Sequence, residues 1–218
     1  MTEIKLVVFD MDGTLLKPRS CWAYIHEHFG TDNSEMLKLY IEGKISDQDF
    51  VKEDLKLWQN STKETVNEKY INSVLDEIEP IEGAKELVDT LHQMGLITVI
   101  ISGGIQYLAD KWAKKWNMKK ALANELIDDE NEALKAIINV RGNTKGPVMK
   151  SLLNEMKINQ NEVISVGDTV VDLPLFERSL FSIAVNTEDP RVIEKANYHH
   201  RSINLSELIP IISKLAKH

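Results

Sequence analysis

Cysteine is almost missing from these 218 residues. Cys21 stands alone, so no disulfide can close within the chain and no thiolate cluster can hold zinc. That usage fits a reducing cytoplasm. Also missing is any run near 18 apolar residues, the length at which a segment reads as a membrane span. The opening MTEIKLVVFD enters a strand-like run without a basic region or cleavage site, which argues against a signal peptide. Positive charge is short as well: 26 Lys and Arg face 34 Asp and Glu, a formal charge of −8. Nucleic acid and anionic membranes are therefore disfavoured as partners, and any phosphate must be held by local chemistry. Internal repeats and low-complexity tracts are absent too.

The length suits one domain or a domain with a smaller insert. Short runs at 4–9, 96–101 and 163–166 are rich in β-branched residues and apolar on both faces, as strands buried between helical layers must be; 181–185 is a weaker fourth. Helical patterns at 83–94, 105–116, 146–156 and 173–177 lie between them. This alternation predicts an α/β fold with a doubly wound parallel sheet. From about 20 to 79 only helical patterns occur, at 21–29, 34–42, 47–58 and 63–78, flanked by the breakers Lys17-Pro18 and Pro80 to Gly83. The expected division is a core of residues 1–16 and 81–218 and a small helical cap of residues 17–80, inserted after the first strand. The stretch 121–140 reads as a hairpin with Asp128 to Asn131 at its turn.

Three of the strand ends carry polar groups: Asp10-Met11-Asp12-Gly13-Thr14, Ser102-Gly103-Gly104, and Gly167-Asp168 through Asp172. In a parallel sheet these ends share one rim, where ligands of open α/β folds bind. With DMDGT at 10–14, ISGG at 101–104, Lys145 in NTKGP and GDTVVD at 167–172, in that order, the chain resembles the haloacid dehalogenase superfamily of phosphohydrolases. It is most similar to the phosphoserine-phosphatase-like branch, whose cap domain the helical insert matches.

The resemblance implies a Mg²⁺-dependent phosphomonoester hydrolase that works through an aspartyl-phosphate on a small soluble metabolite. It makes Asp10 the nucleophile and Asp12 the general acid and base, with Lys145 as a fixed catalytic cation. Thr14, Ser102, Gly103, Gly104 and Lys145 would hold the phosphoryl oxygens; Asp10, Asp12, Asp168 and Asp172 would hold the metal. Charge arithmetic agrees: two unit charges 4 Å apart repel by about 4 kcal/mol at an effective dielectric near 20, so this cluster needs cations. Oxygen donors with no His or Cys beside them suit Mg²⁺. Repulsion from Asp10 together with burial is expected to raise the pKa of Asp12.

The chain departs from the phosphoserine pattern at two positions. Arg19 falls where the branch has a cap-base glutamate, and Asp54 where it has a cap arginine. Read that way, phosphoserine is disfavoured, and Arg19 beside the site suggests an acidic or polyhydroxylated leaving group. Alternatives are a phosphomutase, which shares the motifs, and a non-catalytic module that binds Mg²⁺ and phosphate. Trp22 and Trp58 are either packing residues or walls of the substrate pocket, and His26 and His28 have no metal-spaced carboxylate partner.

Overall fold

The computed structural model describes residues 3–130, 133–141 and 144–216. Strand β1 (Leu6–Phe9) lies at the centre of a seven-stranded sheet. Its sequence, LVVF, explains the position, because side chains of a strand alternate between faces and here every one of them is apolar. Val7 and Phe9 enter one hydrophobic core, Leu6 and Val8 the other. Parallel partners flank it: β2 (Ile97–Ile105) on one side and β5 (Val163–Gly167) on the other. Beyond β5 come β6 (Phe181–Val185) and β7 (Tyr198–His200), both parallel. Beyond β2 come β3 (Lys120–Asp128), also parallel, and β4 (Leu134–Ile137), antiparallel to β3. The order is β4-β3-β2-β1-β5-β6-β7.

Helices cover both faces. The face of Phe9 receives α5 (Ala84–Gln93) through Leu87, Val88 and Leu91, α6 (Gln106–Lys115) through Leu108 and Trp112, and α10 (Ile209–Ala216) through Ile212. The opposite face receives α7 (Lys145–Met156) through Met149, Leu152 and Leu153, and the short α8 (Leu173–Phe176) through Leu175. A further short helix, α9 (Pro190–Ile193), precedes β7.

The four expected strands form, with two differences at the rim. β2 continues through Ser102, Gly103 and Gly104, so those residues belong to a strand and α6 starts only at Gln106. The hairpin at 121–140 forms as β3 and β4, but β3 is also a full member of the parallel sheet through its pairing with β2. Asn131, expected at its turn, lies outside the described residues.

Between β1 and α5 the chain makes four helices: α1 (Cys21–Phe29), α2 (Ser34–Ile41), α3 (Asp47–Ser61) and α4 (Glu68–Leu75). α3 opens on a reciprocal Ser46/Asp49 capping box and runs past Trp58. The helix expected over 63–78 shrinks to α4, since the backbone is extended at Thr62 and Asn67 caps the helix through Tyr70 N. Stacked rings of Trp22, Phe29, Trp58 and Tyr70 bind α1, α3 and α4 together, and Tyr40 on Phe50 ties α2 to α3. Outgoing and returning strands of chain run side by side, with Lys17 N donating to Glu79 O at 3.0 Å and Ile81 N to Leu15 O at 2.9 Å. Contacts that seat the helices on the rest of the chain include Trp22 Nε1 on Gly103 O (3.1 Å), Glu68 N on Asp128 Oδ1 (2.7 Å), and Arg141, beyond β4, with Asp47 (3.4 Å).

Candidate active site

The rim formed by the ends of β1, β2 and β5 gathers the polar groups. Lys145 comes from the first residue of α7 and is only 1% exposed. Its ammonium donates to Asp10 Oδ1 and to Asp172 Oδ1, both at 2.6 Å. Burial alone would lower the pKa of Lys145, but the two carboxylates outweigh it and hold the lysine well above its ordinary value. It is a permanent cation at the centre of the cluster.

Asp172 is fully engaged. Its other oxygen accepts from Asp168 N, Thr169 N and Thr169 Oγ1, so it pins the loop that carries Asp168. Asp168 is different: Oδ1 accepts from Thr14 Oγ1 at 3.2 Å and Oδ2 has no hydrogen-bond partner among the described residues. Gly13, at φ +72°, lies against that free oxygen, and a side chain there would strike it.

Asp10, Asp168 and Asp172 each bring a carboxylate oxygen within 4.8 Å of the others, all three buried. Three carboxylates around one ammonium leave excess negative charge in a dry place, which is costly. A hard divalent cation bound by oxygen fits this donor set, with the unclaimed Asp168 Oδ2 available to it. Asp12, named above as a metal ligand, does not join: its carboxylate turns to Cys21, whose N–H donates to Oδ2 at 2.7 Å. The reason is local, since α1 starts at Cys21 and offers an unsatisfied N–H there.

The pKa of Asp12 is raised, and burial is the main cause, opposed by the Cys21 N–H; repulsion from Asp10 is not what lifts it. Asp10 is raised by burial first, against the pull of Lys145. Asp168 is pushed up to about 8 by burial, Asp10 and Asp172. A carboxyl whose pKa is raised on folding stabilises the fold below the ordinary carboxylate range, and that stability is lost as pH rises through the folded value. Metal-free protein should therefore melt at a lower temperature at pH 8.5 than at pH 6, and Mg²⁺ should raise the melting temperature more at pH 8.5. Asp168→Asn should flatten both trends. Equal Mg²⁺ increments at the two pH values in calorimetry would contradict the charge balance drawn here.

The remaining expected residues take these places. Ser102 is buried, and its Oγ accepts from Gly104 N at 3.1 Å, leaving the hydroxyl proton for an anion. Gly103 presents its carbonyl to Trp22 and to Asn124 Nδ2 (2.8 Å). Thr14 is buried on Asp168 and so orients that carboxylate. Arg19 is not where the sequence comparison put it. Exposed, its guanidinium donates to Asn186 O at 2.9 Å, while Asn186 Nδ2 donates to Gly13 O at 3.0 Å. The loop after β1 folds back with Gly13 N on Pro18 O (2.7 Å), which carries Arg19 toward the end of β6.

Between α1 to α3 and the sheet rim lies a cavity of about 650 Å³. Ser20, Trp22 and Gly103 line its end nearest Asp12 and Ser102, and Asp54 stands on its wall; Arg19 does not line it. Trp58 is packed behind it with its indole N–H on His26 Nδ1 (3.2 Å). Sequence reasoning passed over Asn124, which also donates to Val140 O and accepts from Val140 N and Asn139 N, thereby fixing the end of β2. A single Asn inside a strand-like run carries no signal of that role.

Haloacid dehalogenase-like hydrolases match residues 4–179 as a family. A phosphoserine phosphatase of Methanocaldococcus jannaschii is 27% identical over 95% of this chain and 97% of its own length. One from Archaeoglobus fulgidus is 28% identical over 86% of the chain, which spans 54% of that longer protein. Among solved structures, a phospho-aspartyl intermediate analogue of phosphoserine phosphatase superposes with a TM-score of 0.79 at 23% identity, covering 96% of this chain and 99% of that one. These relatives give no support to the exclusion of phosphoserine, and Arg19, on which half of that exclusion rested, lies off the cavity. The chain belongs to the haloacid dehalogenase-like hydrolases and resembles the phosphoserine phosphatases among them.

Proposed function

We propose that this protein is a Mg²⁺-dependent phosphomonoesterase acting on a small soluble metabolite through an aspartyl-phosphate on Asp10. The observation that carries the reading is the unequal setting of two carboxylates two residues apart. Asp10 is in direct contact with the Lys145 ammonium, whereas Asp12 meets a backbone N–H and feels Lys145 only at longer range. With Lys145 in contact and a metal cation added, the first is suited to be ionised and attack, and the second, raised by burial, to carry a proton. In the forward step an Asp10 oxygen bonds to phosphorus as the bond to the alkoxy oxygen breaks, and Asp12 delivers its proton to that oxygen. Asp12 then takes a proton from the water that attacks phosphorus and frees Asp10. Ser102 and the backbone of Gly103 and Gly104 hold phosphoryl oxygens. Mg²⁺, bound by Asp10 and Asp168, would add the positive charge that a loose phosphoryl transition state requires; Asp172 supports both by holding Lys145 and the Asp168 loop.

The direct test is a screen of phosphomonoesters, phosphoserine and p-nitrophenyl phosphate included, with Mg²⁺ and with a chelator. Release of inorganic phosphate that stops on chelation is the expected result, and no release from any ester would defeat the proposal. A hexose 1-phosphate that returns as an isomer without phosphate release would point to a phosphomutase instead.

Gly104 supplies a second check. A Cβ there would lie 2.7 Å from Met11 Cε and 2.9 Å from both Asp12 Oδ2 and Cys21 Sγ. Met11 can bend away, but Asp12 is fixed by the Cys21 N–H, so Gly104→Ala should fold and displace the acid. Displacements near 1 Å cost about 100-fold in rate, and kcat should fall by roughly 10- to 100-fold. An unchanged kcat would show that Asp12 is not positioned as described.

A further inference from the structure

The cavity beside Asp12 has a charge of its own. Asp54 is 1% exposed on α3, and its Oδ1 accepts from His26 Nε2 at 2.8 Å and from Asn33 Nδ2. The indole N–H of Trp58 can only donate, and it points at His26 Nδ1. Nδ1 also lies 2.7 Å from Thr31 Oγ1, so both ring nitrogens are engaged and the imidazole is held in place against Asp54. Both partners of Asp54 meet Oδ1, and its Oδ2 has no hydrogen-bond partner among the described residues. A buried carboxylate with one oxygen unclaimed is costly unless a ligand completes it.

The rest of the lining has the same sign. Glu27, Asp32 and Asp47 are on it, and the one Lys or Arg among its described residues is Arg141, already 3.4 Å from Asp47. Trp22 stands at the end nearest Asp12, and Tyr40 and Phe50, stacked at 5.1 Å between centroids, form the far wall. Aromatic faces beside carboxylates attract cations and repel anions. Trp22 follows Cys21, the residue that holds the acid, so this end of the cavity adjoins the group that would protonate a departing alcohol.

We propose that the alcohol released by this phosphatase carries an ammonium nitrogen and that Asp54, presented by His26 and Asn33, is the residue that recognises it. This rests on the phosphatase reading. It also replaces Arg19, and the acidic or polyhydroxylated leaving group that Arg19 suggested, with a residue on the cavity wall.

The test uses a matched pair, 2-aminoethyl phosphate and 2-hydroxyethyl phosphate, which differ in charge and hardly in shape, with p-nitrophenyl phosphate as a reporter of the chemistry. A hydrogen bond to a charged group contributes about 1.5–3 kcal/mol, so kcat/KM should favour the amine by about 10- to 150-fold. In Asp54→Asn, which keeps the acceptor for His26, that ratio should fall to within about threefold of one. Equal use of the two esters by the parent protein, or an amine preference that survives Asp54→Asn, would overturn the assignment. So would hydrolysis of p-nitrophenyl phosphate alone. If no ester is hydrolysed, the phosphatase reading itself has failed, and calorimetric titration of the two esters into the Mg²⁺-loaded protein still decides the question: tighter binding of the amine upholds the Asp54 site, equal binding removes it.

Discussion

Replacing Asp10 with asparagine should lower kcat by about 10⁴-fold or more, the scale on which loss of a covalent nucleophile acts, while the protein keeps its fold. The amide has the size of the carboxylate and can still accept from Lys145 Nζ, which now sits 2.6 Å from Asp10 Oδ1. What it cannot do is form a stable acyl-phosphate, because it is no anion and attacks phosphorus poorly. Removing one buried negative charge also relieves repulsion among Asp10, Asp168 and Asp172, so metal-free Asp10→Asn should melt no lower than the parent. Steady-state rates with Mg²⁺, read beside circular dichroism and calorimetric melting, check both halves. A loss of only about tenfold would mean that another group attacks phosphorus.

Lys145→Met should be the most destabilising single change in the site. Methionine has nearly the length of lysine and fills the same space, but it leaves Asp10 and Asp172 buried with no cation between them. Breaking a buried pair by removing one partner costs about 3–5 kcal/mol, and for a chain of this size each kcal/mol shifts the melting temperature by about 2–4 °C. The metal-free variant should therefore melt roughly 6–20 °C below the parent. Mg²⁺ should restore part of that loss, because it supplies the missing charge. Adding Asp172→Asn should also restore part of it, and this coupling between neighbours is what a double-mutant cycle measures. A shift of about 2 °C or less in Lys145→Met would mean that the lysine is not the charge that holds the cluster together.

Much of the fold can be read from the chain because its central strands are apolar on both faces. LVVF at β1 and VISV within β5 allow no other placement in a protein of this size. β7 escapes such reading: Tyr198-His199-His200 is three residues long and polar, and it becomes a strand only because β6 offers it an edge. β3 misleads in a different way, since KALANELID looks like one arm of a hairpin and is that as well as the parallel neighbour of β2.

The chemical residues of the rim are legible because they sit at strand ends, where backbone direction fixes which side they reach. Substrate residues are less so. Arg19, counted from Asp10, seems to border the pocket, yet a backbone turn at Gly13 sends it to Asn186. Asp54 stands out in the sequence as a reversed charge, but its meaning depends on His26, Asn33 and Trp58, which only the packing of α1 on α3 brings to it. Asp12 shows the same limit: its raised pKa follows from enclosure by the start of α1, and no count of neighbouring charges in the sequence contains that.

The central claim is that phosphorus is transferred to Asp10, and one measurement addresses it. The Mg²⁺-loaded protein is mixed with an excess of a turned-over phosphomonoester, quenched in acid during steady state, digested and mapped by mass spectrometry, with borohydride reduction to mark acyl-phosphates. The account predicts one phosphoryl group on the peptide that contains Asp10, reduced by borohydride to homoserine at that position, and none in Asp10→Asn. A phosphoryl group on any other residue, or rapid turnover with no trapped acyl-phosphate while a parallel quench of an authentic acyl-phosphate survives, would contradict it.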